Sequence, residues 1–453
     1  MKFSLALKCA AIILIAFGLL IFLEMIEYKV DERNQYRHQA KNAIAQGWSG
    51  AQVVVSPMLR LTYSKEYEQE VFDKNLEKYV VKRKTKTWHE LHVPDTLNIS
   101  GRVDTQERYK GIYSVPVYEA ALEINGKFSK LPKLAGSLLR AELISSLSDM
   151  RGISEIPTLK WNSQTINMHA AKDSHLLGNY IHADVSKEFL STVSSASFNM
   201  QIDVRGLDEI SFVPAGKQVT LELSSEWPHP YFEGRYLPET RTIDENGFKA
   251  TWSMSEFATS IQQTLTKCVS SRDSCLYVLN ENSFGVGLHN PIDVYQKTDR
   301  SMKYGFLFIL LTFLVFCLFE VIKRSQIHPV QYALVGAALA IFYLLLISLS
   351  EHISFAMSYL IATLACVSLI WFYLYYVFKS LANASMLALG IGTLYAMLFV
   401  ILKSEDFALL MGTGLTFLCL GALMIATRKI DWYSLSRAKQ DGELSNEQVS
   451  PSN

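Results

Sequence analysis

The sequence predicts a polytopic α-helical membrane protein of six transmembrane helices, with a large mainly β extracytoplasmic domain between the first and second helices. Three observations predict it. Apolar runs at 9–26, 304–322, 331–349, 353–378, 381–402 and 407–427 each approach or exceed the roughly 20 residues that a helix needs to cross a bilayer. Residues 49–296, between the first two runs, change from helical to alternating periodicity and are rich in Val, Ile, Thr, Tyr and Phe. Finally, Lys323 and Arg324 fall in the short connection between the second and third runs. Cationic short connections stay on the cytoplasmic side, so everything before residue 299 approaches the membrane from outside.

Composition agrees. Of 453 residues, 49% are hydrophobic, a bias that indicates membrane content before any motif is read. Lys plus Arg equals Asp plus Glu at 43 each, so there is no net field to recruit nucleic acid. Six cysteines are too few and too scattered for a disulfide scaffold. Cys9, Cys317, Cys366 and Cys419 fall in apolar runs and read as small buried hydrophobes. Cys268 and Cys275 fall in the segment placed outside, where an oxidising compartment permits a disulfide between them; two inert thiols are the alternative.

The first run follows Lys2 and Lys8 and has no small-x-small cleavage site after it. It reads as an uncleaved anchor with its N-terminus inside, Lys8 reaching the inner headgroups and Glu24 the outer ones. Ile26, Val30, Tyr36, Ala40 and Ile44 recur near helical spacing, so the helix continues beyond the membrane and ends near Gly47. Strands are expected in AQVVVSPMLRLTY, EKYVVKRKTKTWHELHVP, SFVPAGKQVTLELSSEW and FKATWSM. Asn125-Gly126 and Asn246-Gly247 read as hairpin turns, 136–152 as an inserted helix, and Arg151-Gly152 as a break within the β region.

The remaining runs make a five-helix bundle with short connections. The run at 353–378 ends in WFYLYYVF before Lys379, an aromatic belt meeting a cytoplasmic cation, and Arg428-Lys429 close the last run inside. The divisions are therefore 1–26 anchor, 27–303 β domain, 304–430 bundle and 431–453 polar cytoplasmic tail, with both termini inside.

The stretch 299–352 carries Asp299-Arg300-x-x-Lys303-Tyr304, Phe319-Glu320, His328-Pro329-x-Gln331-Tyr332, Phe342-Tyr343-Leu344-Leu345-Leu346 and Ser350-Glu351-His352. With Trp227-Pro228-His229-Pro230, Gly234, Leu237-Pro238 and Ile430-Asp431-Trp432-Tyr433, it resembles the CreD family over nearly the whole chain, apart from a longer polar tail. That resemblance implies a bacterial inner-membrane protein associated with cell-envelope integrity, expressed under a two-component stress system. It carries over no reaction, no catalytic residue and no cofactor.

Enzyme signatures are missing: there is no GxSxG, HExxH, phosphate loop or dinucleotide fingerprint. His89 and His92 are three apart, which on a strand sends them to opposite faces, and His169, His175 and His182 make a weak metal signal. Gly285 to Gly287 read as a loop. Ionisable residues in the spans are the default functional candidates and nearly all stand at helix ends. Glu320 precedes Arg324 by four, the favourable order for a helical ion pair. Asp299, Arg300 and Lys303 stand outside the second helix, where the cations can meet lipid phosphates or Glu351, while His352 offers a contact that titrates near neutrality. Gly390, Gly392, Gly412 and Gly414 either let helices pack closely or mark broken helices of a transporter. The first expectation is a non-enzymatic envelope protein held in the lipid bilayer, its β domain binding an envelope component or protein partner. A transporter or exporter with the bundle as path is the alternative.

Overall fold

A computed structural model describes residues 5–73, 78–131, 137–173, 177–191, 195–270, 275–288, 294–323, 327–403 and 408–428. It divides into two compact units, Arg37–Pro291 and the combination of Met1–Tyr36 with Ile292–Asn453.

Helix α1 (Leu5–Gly47) opens the chain and ends at the expected glycine. The β unit then runs β1 (Gln52–Asp73), β2 (Lys78–His92), β3 (Thr96–Lys110), β4 (Tyr113–Phe128) and β5 (Ser137–Leu147). A 3-10 turn at Met150–Gly152 leads to β6 (Thr158–Trp161), β7 (Gln164–Asn167), β8 (His169–Asp173) and β9 (Gly178–Asp184). Helix α2 (Ser186–Ser191) precedes β10 (Ala196–Leu207), β11 (Glu209–Val213) and β12 (Gln218–Ser225). Then come β13 (Tyr231–Gly234), β14 (Thr240–Asp244), β15 (Gly247–Ser255), the helices α3 (Glu256–Thr259), α4 (Ile261–Ser270) and α5 (Cys275–Asn280), and β16 (Phe284–Gly287).

The first sheet has the order β13-β16-β11-β1-β5-β9-β8, with β2 paired to β1; the second is β14-β15-β12-β3-β4-β10-β6-β7. Pairing is antiparallel except for β1 with β11 and β3 with β12. Alternation puts Leu59, Leu61 and Tyr63 of one sheet and Leu97, Leu122, Ile202 and Trp252 of the other into a shared core. The opposite face of the first sheet is also covered: Met58, Ile144 and Val213 pack with Ile261 and Leu265 of α4 and Leu279 of α5.

That double covering explains one correction. Residues 136–152, expected to be helical, form β5, which is buried without interruption over its last seven residues. With both faces buried, the period of two disappears and the run reads like a helix. Asn125-Gly126 is not a turn either, because both residues lie inside β4, paired with Asn199 and Phe198. Gly126 is there for the Phe198 ring, whose carbons lie 2.2 Å from where a Cβ would stand. The second expected hairpin holds, joining β14 to β15 through Glu245 and Asn246, with Gly247 at φ +131. No break occurs at Arg151-Gly152, since both sheets take strands from either side of it.

In the other unit α6 (Val294–Lys303) and α7 (Gly305–Lys323) lead into α8 (Pro329–Ser350), α9 (Phe355–Phe378), α10 (Leu381–Lys403) and α11 (Ala408–Thr427). Among the described residues, four helices are long and apolar enough to cross a membrane: Ala10–Gly47, Pro329–Ser350, Phe355–Phe378 and Leu381–Lys403. Gly305–Cys317 and Leu410–Gly421 are shorter apolar stretches. Phe316, Leu339, Phe342 and Tyr395 fill the interior, while Leu364, Leu389 and Phe417 point outward, an arrangement suited to lipid.

Candidate functional site

The family-like motifs around the α7–α8 connection have physical roles. His328 caps α8, its Nδ1 accepting the Val330 amide, while the Gln331 side chain accepts the His328 amide and Pro329 occupies the first turn. Tyr332 donates its hydroxyl to Glu320 Oε2 at 3.1 Å. The other Glu320 oxygen receives the Lys8 ammonium from α1. The expected partner of Glu320, Arg324, lies outside the described residues.

At the other end of the helices, Glu351 closes α8 and is met by Arg33, whose Nε lies 3.4 Å from Oε1. This partner, like Lys8, was not legible in the sequence, because more than 300 residues separate the members of each pair. His352 is exposed, its amide donating to Leu349 O at 3.0 Å. Arg300 and Lys303 lie in the last turn of α6, half-buried and exposed respectively, while of Asp299 only the backbone is described.

Of the four glycines singled out, Gly412 and Gly390 make ordinary contacts, with Tyr304 at 3.4 Å and Val315 at 3.8 Å from a Cβ position; a tighter approach is at Gly336. A Cβ on Gly336 would stand 2.2 Å from Leu19 Cδ1 of α1, whereas Gly392 and Gly414 have nothing within 4 Å. Deeper in the bundle, Tyr343, Tyr359 and Tyr395 gather around Phe342, with ring centroids 5.1, 5.3 and 4.6 Å from it. Tyr359 donates to the Tyr395 carbonyl at 2.8 Å. Among the described residues the buried hydroxyls of Tyr343 and Tyr395 find no partner, a shortfall that costs about 1–3 kcal/mol each.

The β unit holds a buried ionic brace. Arg60 donates from Nε and Nη2 to Glu142 Oε2 at 3.0 and 2.7 Å, and from Nη2 to the Tyr180 hydroxyl at 2.9 Å. Because Arg60 and Glu142 face each other across β1 and β5, the pair fixes their register. His182 Nδ1 lies 3.0 Å from Glu142 Oε1 but is out of line for a hydrogen bond. Burial holds the His182 pKa below the usual value, against Glu142 and with help from Arg60 and His169. His169 and His182 are directly opposite across β8 and β9, while His175 lies outside the described residues. Among the described residues no three His, Cys, Asp or Glu side chains converge on a metal position. Cys268 and Cys275 are buried in the apolar cluster under α4 and α5. Gly285 to Gly287, expected as a loop, are strand β16.

Gly285 stands between Glu233 of β13 and Ser211 of β11. There burial, together with the charge of the neighbouring Glu209, raises the Glu233 carboxyl to about 7. The remaining large feature is a groove of about 510 Å³ on the outer face of the second sheet. Ala121 forms its floor, and Arg102, Glu123, Gln201, Asp203, Glu222 and Lys249 line it. Side-by-side pairs, Lys249 with Glu222 at 3.6 Å and Arg102 with Asp104 at 2.9 Å, hold these charges flat on the sheet. The surface therefore offers alternating donors and acceptors with little net charge.

A family model described as "Inner membrane protein CreD" matches residues 4–433. The inner membrane protein CreD of Escherichia coli (strain K12) is 33% identical over 426 residues, covering 93% of this chain and 92% of the relative. Among solved structures, the M1 zinc metallopeptidase of Deinococcus radiodurans is similar at a TM-score of 0.17 and 8% identity, covering 36% of this chain and 38% of that one. A mutant of it bound to a Tyr-Ser-Ala substrate reaches 0.18. Likeness at that level carries no argument about fold or chemistry. The match over almost the full length does: the chain belongs to the CreD family of inner membrane proteins.

Proposed function

We propose that this chain spans the bacterial inner membrane six times, with both termini in the cytoplasm and the β unit in the periplasm. There it contributes to cell-envelope integrity and stress response by binding an envelope component, without catalysis. The observation that carries this reading is the polar groove on the second sheet. Its alternation of guanidinium, ammonium, amide and carboxylate groups over a small-residue floor suits a neutral chain rich in hydroxyls or amides, such as a glycan or an extended peptide. The basic connection at Lys323 and Arg428 after α11 support the orientation.

The test is an envelope-permeability assay in a deletion strain complemented by the full chain. Filling the groove with Ala121→Trp, or reversing Asp203→Lys, is expected to abolish complementation while insertion and abundance stay normal. Full complementation by both variants would remove the groove reading.

A transport reading has its own observation, the hydroxyls of Tyr343 and Tyr395 inside the bundle, buried with no partner among the described residues. An unmet polar group in the spanning region is a place for a small polar solute or water. If this reading is right, Tyr395→Phe or a bulky residue at Gly390 or Gly412 abolishes a measurable flux and the groove variants do not.

A further inference from the structure

The hairpin of β1 and β2 outruns its sheet. β5 pairs with β1 as far as Ser64, whereas β2 continues alongside β1 from the Lys65–Lys86 pair to the Asp73–Lys78 pair. Among the described residues no third strand covers this part, so it projects as a two-stranded ribbon about 30 Å long. Its two faces differ sharply. One face carries Lys65, Tyr67 and Gln69 of β1 opposite Lys86, Lys84 and Lys82 of β2; the other carries Glu66, Glu68 and Glu70 opposite Thr85, Arg83 and Val81.

The basic face is the continuation of the face that is core nearer the domain, where Tyr63 stacks on Trp88 with centroids 5.4 Å apart. A ribbon selected for stability alone would not set Lys65 directly across from Lys86, since like charges facing each other are destabilising. All four lysines at 65, 82, 84 and 86 are exposed, and among the described residues none of them makes an ion pair. The ribbon's ion pair, Arg83 with Glu68 at 3.6 Å, is on the other face. Beyond the lysines the pairs become apolar, Val71 with Val80 and Phe72 with Tyr79. Tyr79 and Val81 are exposed on the glutamate face, while on the lysine face Tyr67, opposite Lys84, is 42% exposed.

Lysines at every second residue around the exposed Tyr67 ring are two signals with one common partner. A soluble polyanion would engage only the charges. A bilayer surface offers phosphates to the lysines and an interfacial layer to the Tyr67 ring that stands among them. We propose that the β1–β2 ribbon docks its lysine face on a phospholipid surface carrying anionic headgroups. The docking is additional to the groove and does not depend on it.

The experiment uses the full chain held in nanodiscs of phosphatidylcholine and asks whether it floats with added vesicles. Wild type is expected to float with vesicles containing one-third phosphatidylglycerol, not with pure phosphatidylcholine vesicles, and to be released by high salt. Lys82→Gln and Lys84→Gln should each weaken vesicle binding about fivefold, and the combination of Lys65→Gln, Lys82→Gln, Lys84→Gln and Lys86→Gln at least about 100-fold. Glu66→Gln, Glu68→Gln and Glu70→Gln together should keep or strengthen it. Unchanged thermal melting of the single variants shows that folding is not the cause. The proposal is overturned if the quadruple variant binds as wild type does, if wild type binds both kinds of vesicle equally or neither, or if it captures free polyphosphate in preference to anionic vesicles.

Discussion

Arg33 Nε lies 3.4 Å from Glu351 Oε1, and earlier on the same helix Lys8 meets Glu320. The two cations are separated by about 38 Å of helix, close to the thickness of a bilayer with its headgroup layers. Helix α1 is thus fastened to the bundle by charge at both ends, and by Leu19 against Gly336 between them.

Breaking the Lys8 end should cost more than breaking the Arg33 end. Lys8 and Glu320 are 16% and 21% exposed, whereas at the other end Glu351 is 10% exposed but Arg33 is 48% exposed and reaches solvent, which weakens that pair. Glu320→Ala is expected to lower stability in detergent by about 1–3 kcal/mol and Glu351→Ala by about 0.5 kcal/mol, read as thermal midpoints. Charge reversal at Glu351 should be rescued by Arg33→Glu; rescue by Arg300→Glu instead would assign the carboxylate to α6.

Gly336→Leu forces α1 away from α8 and is expected to cost about 1–3 kcal/mol. Gly392→Ala and Gly414→Ala enter open space and should leave the melting midpoint within about 0.5 kcal/mol of wild type. Equal losses at all three would show that α1 does not pack at Gly336.

Two groups of the β unit give opposite pH dependences. Glu233, raised to about 7, holds more protons folded than unfolded. Its favourable contribution is complete below the unfolded value of 4.5 and is lost as pH rises through about 7. Glu233→Gln should therefore stabilise at pH 8 by about 1 kcal/mol, the full shift being discounted for solvent screening, and change nothing at pH 4. His182, held low by burial, binds fewer protons folded than unfolded, so stability falls as pH drops through its unfolded value of 6.5. His182→Gln should flatten that acid limb. Unfolding monitored by tryptophan fluorescence across pH 4–8 separates the two.

Cys268 and Cys275 are proposed to form a disulfide in the oxidising compartment. Because both are buried, alkylation is done in denaturant: before reduction it should leave both unlabelled, and after reduction it should label both. Labelling in the first step means they are thiols.

The sequence by itself determined what depends on neighbours along the chain. Apolar runs long enough to span a bilayer, the alternation of β12 and β15, the end of α1 at Gly47 and the hairpin before Gly247 are all local consequences of where each side chain is stable. The family-like residues His328, Pro329 and Gln331 were readable as a pattern, though their capping role appeared only with the helix in place. Tertiary structure decided the rest. β5 became a strand because two layers cover it, and double burial erases the period that marks a strand. Gly126 became a floor for Phe198 because β10 lies beside β4. Glu320, Glu351 and Glu142 found Lys8, Arg33 and Arg60 across wide gaps in the chain, and the lysines of β2 became one surface only when β1 set their register. A charge has no preferred partner until folding decides which opposite charge is near, and sequence spacing carries no record of that distance.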